Sequence, residues 1–278
     1  MSAPVKVGVV GVGHMGKEHA RIYSESPKAE LVGVFDKDPH TAKKIADKCR
    51  TRFFASLAEM VEEVEAVSVV TPTVNHLASA EPFLKKGRHV LVEKPIAMDT
   101  HEARQLVTLA EQNGAKLAVG HVERFNPVLA ALEERLGRPR FIEAHRLSPY
   151  PGRSTDIGVV MDLMIHDLEI ILHLVRSPVT SIDAVGVPVL SKGEDIANAR
   201  IRFANGCVAN ITTSRISPEK LRKIRVFQDD AYLSLDYMKQ EGGDLPPGRR
   251  QDHPGQDSGA ERGTAEKPAG RVFGQRAA

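Results

Sequence analysis

The chain has 278 residues, of which 41% are hydrophobic and 27% are charged, enough to build a sizeable folded core. The near balance of 38 Lys and Arg against 36 Asp and Glu gives no general attraction to nucleic acid or to a membrane surface. Two cysteines cannot form a disulfide framework, no apolar run reaches the roughly 20 residues that cross a bilayer, and the N-terminus lacks a signal-peptide pattern. We therefore expect a cytoplasmic protein without nucleic-acid or membrane partners.

The N-terminal part alternates strand and helix patterns. Short, nearly continuous apolar runs are typical of strands that are buried on both faces of a parallel sheet. The predicted strands are residues 5–10, 31–35, 66–70, 89–92 and 116–120. The predicted helices between them are residues 14–25, 39–49, 75–86 and 100–113. This alternation predicts an α/β domain over residues 1–120, with the doubly wound parallel sheet of a Rossmann fold.

The pattern changes after residue 120, where strands follow one another without helices between them. One long helix is predicted over residues 156–175, with an apolar stripe formed by Met161, Ile165, Leu168, Leu172 and Val175. The predicted strands are residues 141–147, 197–203, 207–214, 221–228 and 231–236. Asn205-Gly206 between two of them is a strong hairpin turn. Residues 121–240 are therefore expected to form an α+β domain with a mostly antiparallel open sheet.

The last part of the chain, residues 241–278, has a different composition. It contains eight Gly, four Pro and twelve charged residues, and few large apolar ones. Such a segment cannot bury enough apolar surface to offset its chain entropy. We expect a disordered, low-complexity tail.

A dinucleotide-binding fingerprint, G-x-G-x-x-G, follows the first predicted strand and opens the first predicted helix. The first glycine permits a tight turn, the second lets the backbone approach a pyrophosphate, and the third lets helix and strand pack closely. An acid at the end of the next strand, Asp36, can accept hydrogen bonds from the adenine ribose and would repel a 2′-phosphate, although Lys37 softens that preference. NAD is therefore expected over NADP. The predicted cofactor contacts in this region are Gly11, Gly13, His14, Met15, Gly16, Asp36 and Lys37.

A second strand-to-helix turn carries the sequence TPTVNH, residues 71–76. It lies at the carboxyl end of a predicted parallel strand, where ligands of such sheets bind. Thr71, Pro72, Asn75 and His76 are candidate cofactor contacts. Capping of the next helix by Thr73 or Asn75 explains the same residues without a ligand, so both interpretations stay open.

Glu93-Lys94-Pro95 ends another predicted parallel strand. A lysine at this edge can donate a hydrogen bond to a substrate oxygen, and both Glu93 and Lys94 are candidate cofactor contacts. The alternative is a surface lysine in an ion pair with Glu93.

On the long predicted helix, Asp162 and His166 are four residues apart and share a face that continues to Glu169 and His173. Three interpretations compete. His166 is a general base oriented by Asp162, or Asp162, His166 and His173 bind a metal, or the face is merely solvated. Asp167 is offset from this face and is expected to be a structural partner.

The junction of the two predicted domains carries His121, Arg124 and Asn126. These side chains are candidate substrate contacts for an anionic or hydroxylated molecule. The alternative is structural, with Asn126 as the cap of a helix that has Pro127 at its first position.

Together, these segments resemble the Gfo/Idh/MocA family of NAD(P)-dependent oxidoreductases. The matching stretches are, in chain order, GVVGVGHMGKEHARIY, TPTVNH, VEKPIAMD, GHVERFNP and MDLMIHDLEIIL. The EKP tripeptide and the D-x-x-x-H helix are loose signals alone, but their ordered combination with the glycine fingerprint is specific. The resemblance implies a sheet that often mediates dimers or tetramers, and oxidation of a sugar or cyclitol hydroxyl or the reverse reaction.

By motif position, the resemblance makes Lys94, Asp162 and His166 the residues that bind the reacting hydroxyl and move its proton, and it demotes the metal interpretation, so no metal is expected. GHVERFNP and KIRVFQDDAYLSLDY look like a branch that includes UDP-N-acetylglucosamine 3-dehydrogenases, which implies the 3-hydroxyl of a UDP-N-acetylhexosamine as the reacting group. One departure is that family members continue after the last strands with another strand and C-terminal helices. The chain looks truncated or frame-shifted after about Gln240. The alternative function is therefore a non-catalytic NAD-binding sensor or pseudoenzyme.

Overall fold

The computed structural model describes residues 3–150, 157–245 and 271–273. The chain divides into two compact units, Met1–His121 and Val122–Ala278.

The first unit is built on a six-stranded sheet in the order β3-β2-β1-β4-β5-β6. All of its strand pairs are parallel. Its strands are β1 Val5–Val10, β2 Ala29–Phe35, β3 Arg52–Phe53, β4 Ala66–Val69, β5 His89–Val92 and β6 Leu117–Val119. Its helices are α1 Gly16–Glu25, α2 Pro39–Cys49, α3 Leu57–Glu63, α4 His76–Lys85 and α5 Thr100–Gln112. The doubly wound parallel sheet predicted from the sequence is confirmed.

Local sequence explains where these helices begin. Asp38 accepts hydrogen bonds from the backbone N–H groups of His40 and Thr41, and Pro39 occupies the first helical position of α2. Asp99 caps α5 in the same way. The strand β3 and the helix α3 were not predicted, because a two-residue strand and a seven-residue helix are too short to show a period.

The strand order places the carboxyl ends of β1 and β4 side by side at the centre of the sheet, where the chain switches direction between its two halves. Ligands of such sheets bind at this point. The turns that follow β1, β2, β4 and β5 all lie at this carboxyl edge, and they carry the predicted cofactor contacts.

The second unit contains an eight-stranded sheet in the order β14-β13-β12-β11-β7-β10-β9-β8. Among the described strands of this sheet, only β7 and β10 pair in parallel, and the other pairs are antiparallel. The strands are β7 Pro139–Leu147, β8 Val179–Val187, β9 Ile196–Phe203, β10 Val208–Ser214, β11 Leu221–Gln228, β12 Tyr232–Asp236, β13 Glu241–Leu245 and β14 Arg271–Phe273. The mostly antiparallel sheet is therefore confirmed, as is the Asn205-Gly206 hairpin turn, where Gly206 has a φ of +86°.

Two helices, α6 Pro127–Glu133 and α7 Ile165–Val175, contribute to the core of this unit. In β9 every second residue is buried, which is the period expected when one face of a strand packs on a core. The buried residues on this face are Ala197, Ala199, Ile201 and Phe203.

The long helix differs from its prediction. A π-helical turn, Val160–Met164, precedes α7, so the segment is not one regular α-helix. The predicted apolar stripe is confirmed for Val175, which is buried, and for Leu168, which packs against the core, but it is wrong for Leu172, which is 49% exposed. Met164, Ile170 and Leu174, which the stripe left out, are buried. A π turn has a longer period than an α turn, so it shifts which residues of the segment share a face.

The predicted disordered tail also needs correction. Glu241–Leu245 and Arg271–Phe273 form strands, and β13 pairs with both β12 and β14. Composition failed as a guide here because a strand at a sheet edge is held by backbone hydrogen bonds, which need few apolar side chains. The other predicted tail residues lie outside the described part of the chain. Within that described part, no helix has the length and apolar character needed to span a bilayer.

Candidate active site

The glycine-rich turn after β1 has the geometry that its sequence predicts. Gly11 has a φ of +82°, and a Cβ there would lie 2.8 Å from the carbonyl oxygen of Val70, so the tight turn requires glycine. A Cβ on Gly16 would lie 1.8 Å from the carbonyl oxygen of Gly11, which explains the third glycine by close packing. A Cβ on Gly13 would meet nothing within 4 Å. Open space therefore lies beside the second glycine.

The residues around this turn fit the phosphates of a dinucleotide. α1 begins after Met15 without a side-chain cap, so no side-chain acceptor competes with an anion at its positive end. His14 and Met15 are exposed beside them. In the turn after β4, Thr71 has a buried Oγ1 without a hydrogen-bond partner among the described residues. Buried polar atoms normally have partners, so this atom indicates a place for a ligand or water.

Asp36 follows β2 at the same edge of the sheet. Its Oδ2 accepts a hydrogen bond from the N–H of Val12 at 2.8 Å, and its Oδ1 accepts one from the N–H of Asp38 at 3.0 Å. These bonds tie the carboxylate to the glycine-rich turn. Each carboxylate oxygen can accept more than one hydrogen bond, so Asp36 keeps capacity for ribose hydroxyls. Lys37 is exposed next to it.

The turn after β4 matches neither interpretation completely. Pro72 and Asn75 are exposed, and Asn75 makes no side-chain hydrogen bond at the start of α4, so the capping interpretation is wrong for Asn75. His76 is only 1% exposed. Its Nδ1 lies 2.9 Å from the carbonyl oxygen of Pro95, and its Nε2 lies 2.9 Å from that of Thr71. Both ring nitrogens therefore face backbone carbonyl groups of the protein. The sequence had instead indicated a ligand contact or a cap for His76.

Lys94 follows β5 and is half-buried. Its backbone N–H donates a hydrogen bond to Glu93 Oε2 at 3.2 Å, and Glu93 Oε1 lies 3.1 Å from His19 Nε2 on α1. Burial by itself raises the pKa of Glu93, but the hydrogen bonds from His19 and from the Lys94 N–H hold that pKa below its ordinary value. Sequence reasoning missed His19. The available signal was its position on the helical face one turn after Gly16.

In the second unit, Asp162 lies on the π turn and His166 on the first turn of α7, and both are half-buried. Further along α7, His173 Nε2 lies 2.9 Å from Glu133 Oε1 on α6. A merely solvated face is therefore the wrong interpretation for His173. Among the described residues, no group of three or more His, Cys, Asp and Glu side chains is arranged to hold a metal ion.

Two of the predicted substrate contacts, Arg124 and Asn126, have structural partners. Arg124 pairs with Glu169 on α7, whose side chain is only 9% exposed, so the solvated interpretation is also wrong for Glu169. Asn126 Oδ1 accepts a hydrogen bond from the N–H of Val128 at 3.2 Å, as expected of a cap for α6. His121 is half-buried and follows β6.

A buried ion pair fixes α7 to the sheet. Arg146 on β7 donates to both carboxylate oxygens of Asp167, at 2.8 and 3.1 Å, and lies 3.3 Å from Glu123. Burial by itself lowers the pKa of Arg146, but the two carboxylates raise it above its ordinary value. The structural role expected for Asp167 is confirmed. The burial of Arg146 could have been predicted from its sequence position, because it follows Ile142 and Ala144 at a spacing of two residues and so lies on the same, core-facing side of the strand.

Comparison with known proteins identifies the family. Residues 5–121 match the oxidoreductase family GFO_IDH_MocA with an NAD-binding Rossmann fold, and residues 130–234 match the GFO/IDH/MocA C-terminal domain. The chain belongs to this family. The family resemblance expected from the sequence is therefore confirmed, and with it the NAD-binding fold of the first unit.

Several members of the GFO/IDH/MocA family are similar over most of the chain. UDP-N-acetylglucosamine 3-dehydrogenase of Acidithiobacillus ferrooxidans is 42% identical over 235 residues, which is 84% of this chain and 74% of the relative. A solved structure of that enzyme superposes with a TM-score of 0.85, covering 89% of this chain and 82% of the other at 40% identity. GenD2 from gentamicin A biosynthesis, solved in complex with NAD, superposes with a TM-score of 0.79 at 25% identity, covering 85% and 73%.

Proposed function

We propose that the protein is an NAD-dependent dehydrogenase that oxidises a sugar-type hydroxyl, or reduces the corresponding ketone, and that its substrate is a UDP-N-acetylhexosamine reacting at the 3-hydroxyl. The observation that carries the proposal is the intact glycine turn with Asp36 bound to it, in a chain 42% identical to a UDP-N-acetylglucosamine 3-dehydrogenase. Residues 1–120 would bind the cofactor. Residues 121–240 would bind substrate.

The cofactor is held by the carboxyl edge of the parallel sheet. The amino end of α1 binds the pyrophosphate, and Gly13 leaves room for its approach. Asp36 accepts hydrogen bonds from the adenine ribose and disfavours a 2′-phosphate, which makes NAD the preferred form. Thr71, Asn75 and the neighbouring exposed residues complete the binding edge. When bound, NAD supplies the acceptor for the hydride that leaves the reacting carbon.

Lys94 and His166 carry the proton chemistry in this proposal. Lys94 donates a hydrogen bond to the reacting oxygen and stabilises the negative charge that develops on it. His166 receives the hydroxyl proton as the general base, and the carboxylate of Asp162 orients the imidazole and stabilises its protonated form. His121, Arg124 and Asn126 are the proposed substrate contacts. In the reverse direction His166 returns the proton to the oxygen.

The same proposal includes self-association and a cytoplasmic location. The edge strand β8 exposes large apolar side chains, with Ile182 at 64% and Val185 at 59%. Large apolar patches on a surface usually mark contacts with another protein. A homodimer or homotetramer that uses this sheet would cover them.

The test is a panel of UDP-sugars and free sugars, with NADH formation followed by absorbance. We expect turnover with a UDP-N-acetylhexosamine, and Lys94→Ala should lower kcat by about 100-fold or more while NAD still binds. Lys48→Ala, on the exposed face of α2, is the matched control and should keep normal turnover. Tight NAD binding without turnover on any sugar would favour the sensor or pseudoenzyme alternative. Near-normal turnover of Lys94→Ala would remove Lys94 from the mechanism.

A further inference from the structure

Two histidines hold the loop that carries Lys94 from opposite sides. We infer that His19 and His76 are positioning residues for Lys94: His19 acts through the carboxylate of Glu93, and His76 acts through the carbonyl groups that follow Lys94. This inference rests on the proposed function, because it assigns the two histidines to the placement of the proposed catalytic lysine. All of its contacts lie within the first unit.

The contact on the amino side joins α1 to the turn after β5. His19 Nε2 lies 3.1 Å from Glu93 Oε1, and the other oxygen of Glu93 accepts the backbone N–H of Lys94 at 3.2 Å. An ionised carboxylate can only accept hydrogen bonds, so His19 is the donor. The side chains of His19 and Glu93 are 13% and 12% exposed, which shields the contact from water. The depressed pKa of Glu93 agrees with a carboxylate that stays charged in this place.

The carboxylate of Glu93 fits a space that the chain leaves for it. A Cβ on Gly120 would lie 2.6 Å from Glu93 Oε1, so any larger residue at position 120 would displace the carboxylate. The backbone of Glu93 is itself fixed, because its N–H donates to the carbonyl oxygen of Val69 at 3.0 Å. The side chain and the backbone of Glu93, which connects His19 on α1 to the Lys94 N–H, are therefore both fixed in position.

The contact on the carboxyl side joins two turns of the binding edge. His76 Nδ1 lies 2.9 Å from the carbonyl oxygen of Pro95 and 3.3 Å from that of Ile96, and its Nε2 lies 2.9 Å from that of Thr71. Carbonyl oxygens only accept and a neutral imidazole carries a single N–H, so the ring donates one of these hydrogen bonds and packs its other nitrogen against the second carbonyl group. The buried ring thus ties the residues after Lys94 to the turn after β4.

The two contacts together set the backbone on both sides of Lys94. A misplacement of about 1 Å in a group that touches the reacting atoms can lower a rate about 100-fold. We therefore expect that loss of either contact lowers kcat more than it weakens NAD binding. A histidine with a purely structural role would instead lower the melting temperature and leave kcat unchanged.

The experiment compares His19→Gln with His19→Leu in the full chain. A glutamine amide can place a donor near the position of the histidine Nε2, whereas leucine has a similar volume and cannot donate. We expect His19→Leu to lower kcat by about tenfold or more at an unchanged Kd for NAD, and His19→Gln to recover a large part of that loss. His101→Leu, on an exposed turn of α5, is the matched control.

A second readout needs no substrate. Trace acetylation followed by mass spectrometry gives the reactivity of Lys94 relative to the exposed Lys48 in the same molecule, with and without NAD. We expect the Lys94-to-Lys48 ratio to change in His19→Leu and to stay near the wild-type value in His19→Gln. If the wild type shows no turnover, the proposed function fails, while the labelling ratio still decides the inference.

If His19→Leu folds poorly, variants of His76 test the same inference independently. An asparagine amide can place a donor near the position of Nδ1, facing Pro95, and a glutamine amide can place one near the position of Nε2, facing Thr71. The Lys94-to-Lys48 reactivity ratio should therefore be closer to the wild-type value in His76→Asn than in His76→Gln. Equal labelling and equal kcat across both pairs, with changes confined to the melting temperature, would overturn the inference.

Discussion

The three glycines of the first turn are required for three different physical reasons. Gly11 has a positive φ, and Gly16 packs its Cα against the carbonyl group of Gly11. Gly13 has neither constraint, since a Cβ there would meet nothing within 4 Å. Packing within the protein does not require a glycine at this position. The glycine is therefore better explained by the space that a bound molecule needs.

Alanine substitutions separate these roles. Gly16→Ala should lower the free energy of unfolding by about 1–3 kcal/mol, because the new Cβ would collide with backbone atoms that must move. Gly13→Ala should leave the unfolding free energy nearly unchanged and weaken NAD binding, because the methyl group occupies the space that the pyrophosphate needs. Denaturant unfolding and calorimetry with NAD measure the two quantities. Equal NAD affinity of Gly13→Ala and the wild type would contradict the assigned role.

Asp36 is the residue that should decide between the two nicotinamide dinucleotides. Asp36→Ser removes the negative charge and one acceptor, so NAD should bind about tenfold or more weakly, and the ratio of NADP to NAD affinity should rise. Asp47→Ser, on the exposed face of α2, serves as the control. Calorimetric titration with both dinucleotides measures the change. A variant that loses NAD affinity without any relative gain for NADP would show that Asp36 does not face the ribose.

At the scale of elements, a second buried ion pair fixes the start of the segment that carries Asp162 and His166. Arg215 and Asp195 are fully buried and lie 2.8 Å apart, and Arg215 also donates to the carbonyl oxygen of Ile157 at 2.9 Å. The N–H of Val159 donates to the backbone of Glu194 at 2.9 Å. The π turn therefore starts from a fixed point in the core of the second unit.

The carboxylate of Asp195 should make the stability of this unit depend on pH. Burial by itself raises the pKa of Asp195, but hydrogen bonds from Arg215, Ser191 and the N–H of Val189 hold it far below its ordinary value. Because the folded-state pKa is depressed, this contribution is complete above an unfolded-state pKa of about 4 and is lost as the pH falls below it. The melting temperature of the wild type should therefore exceed that of Asp195→Asn at pH 7, and the difference should shrink below about pH 4.

The control for this measurement is Asp47→Asn on the exposed face of α2. Its melting temperature should follow that of the wild type at every pH. A gap between the wild type and Asp195→Asn that stays constant into acid would show that the ion pair does not depend on ionisation of this carboxyl.

At the scale of the whole molecule, the edge strand β8 is the feature least suited to an isolated chain. Long edge strands with exposed apolar side chains tend to pair with another chain. Val185→Asp should shift the molecular mass in solution toward that of a monomer, measured by light scattering after size-exclusion chromatography. Val107→Asp, which changes an exposed valine on α5, should leave the mass unchanged. A wild type that is already a monomer would contradict the proposed assembly.

The sequence alone predicted the features that depend on local chemistry. The β1–glycine turn–α1 unit, Asp36 at the end of β2, the hairpin at Asn205-Gly206 and the ordered family motifs were all readable, because each needs particular residues at fixed spacing. The π turn was not readable, because the same side chains fit an α-helix until the packing of Asp167 on Arg146 fixes which face is buried.

The tertiary structure decided every contact between residues far apart in the chain. His76, predicted as a ligand contact or neighbour of a cap, joins the turns after β4 and β5, and His19 reaches Glu93 across 74 positions. The strands β13 and β14 exist because a sheet edge offers backbone partners that composition does not encode. The sequence thus determined which chemical groups the protein has and the local turns that carry them. Only the fold determined which partners those groups find, because a hydrogen bond depends on distances that chain spacing does not set.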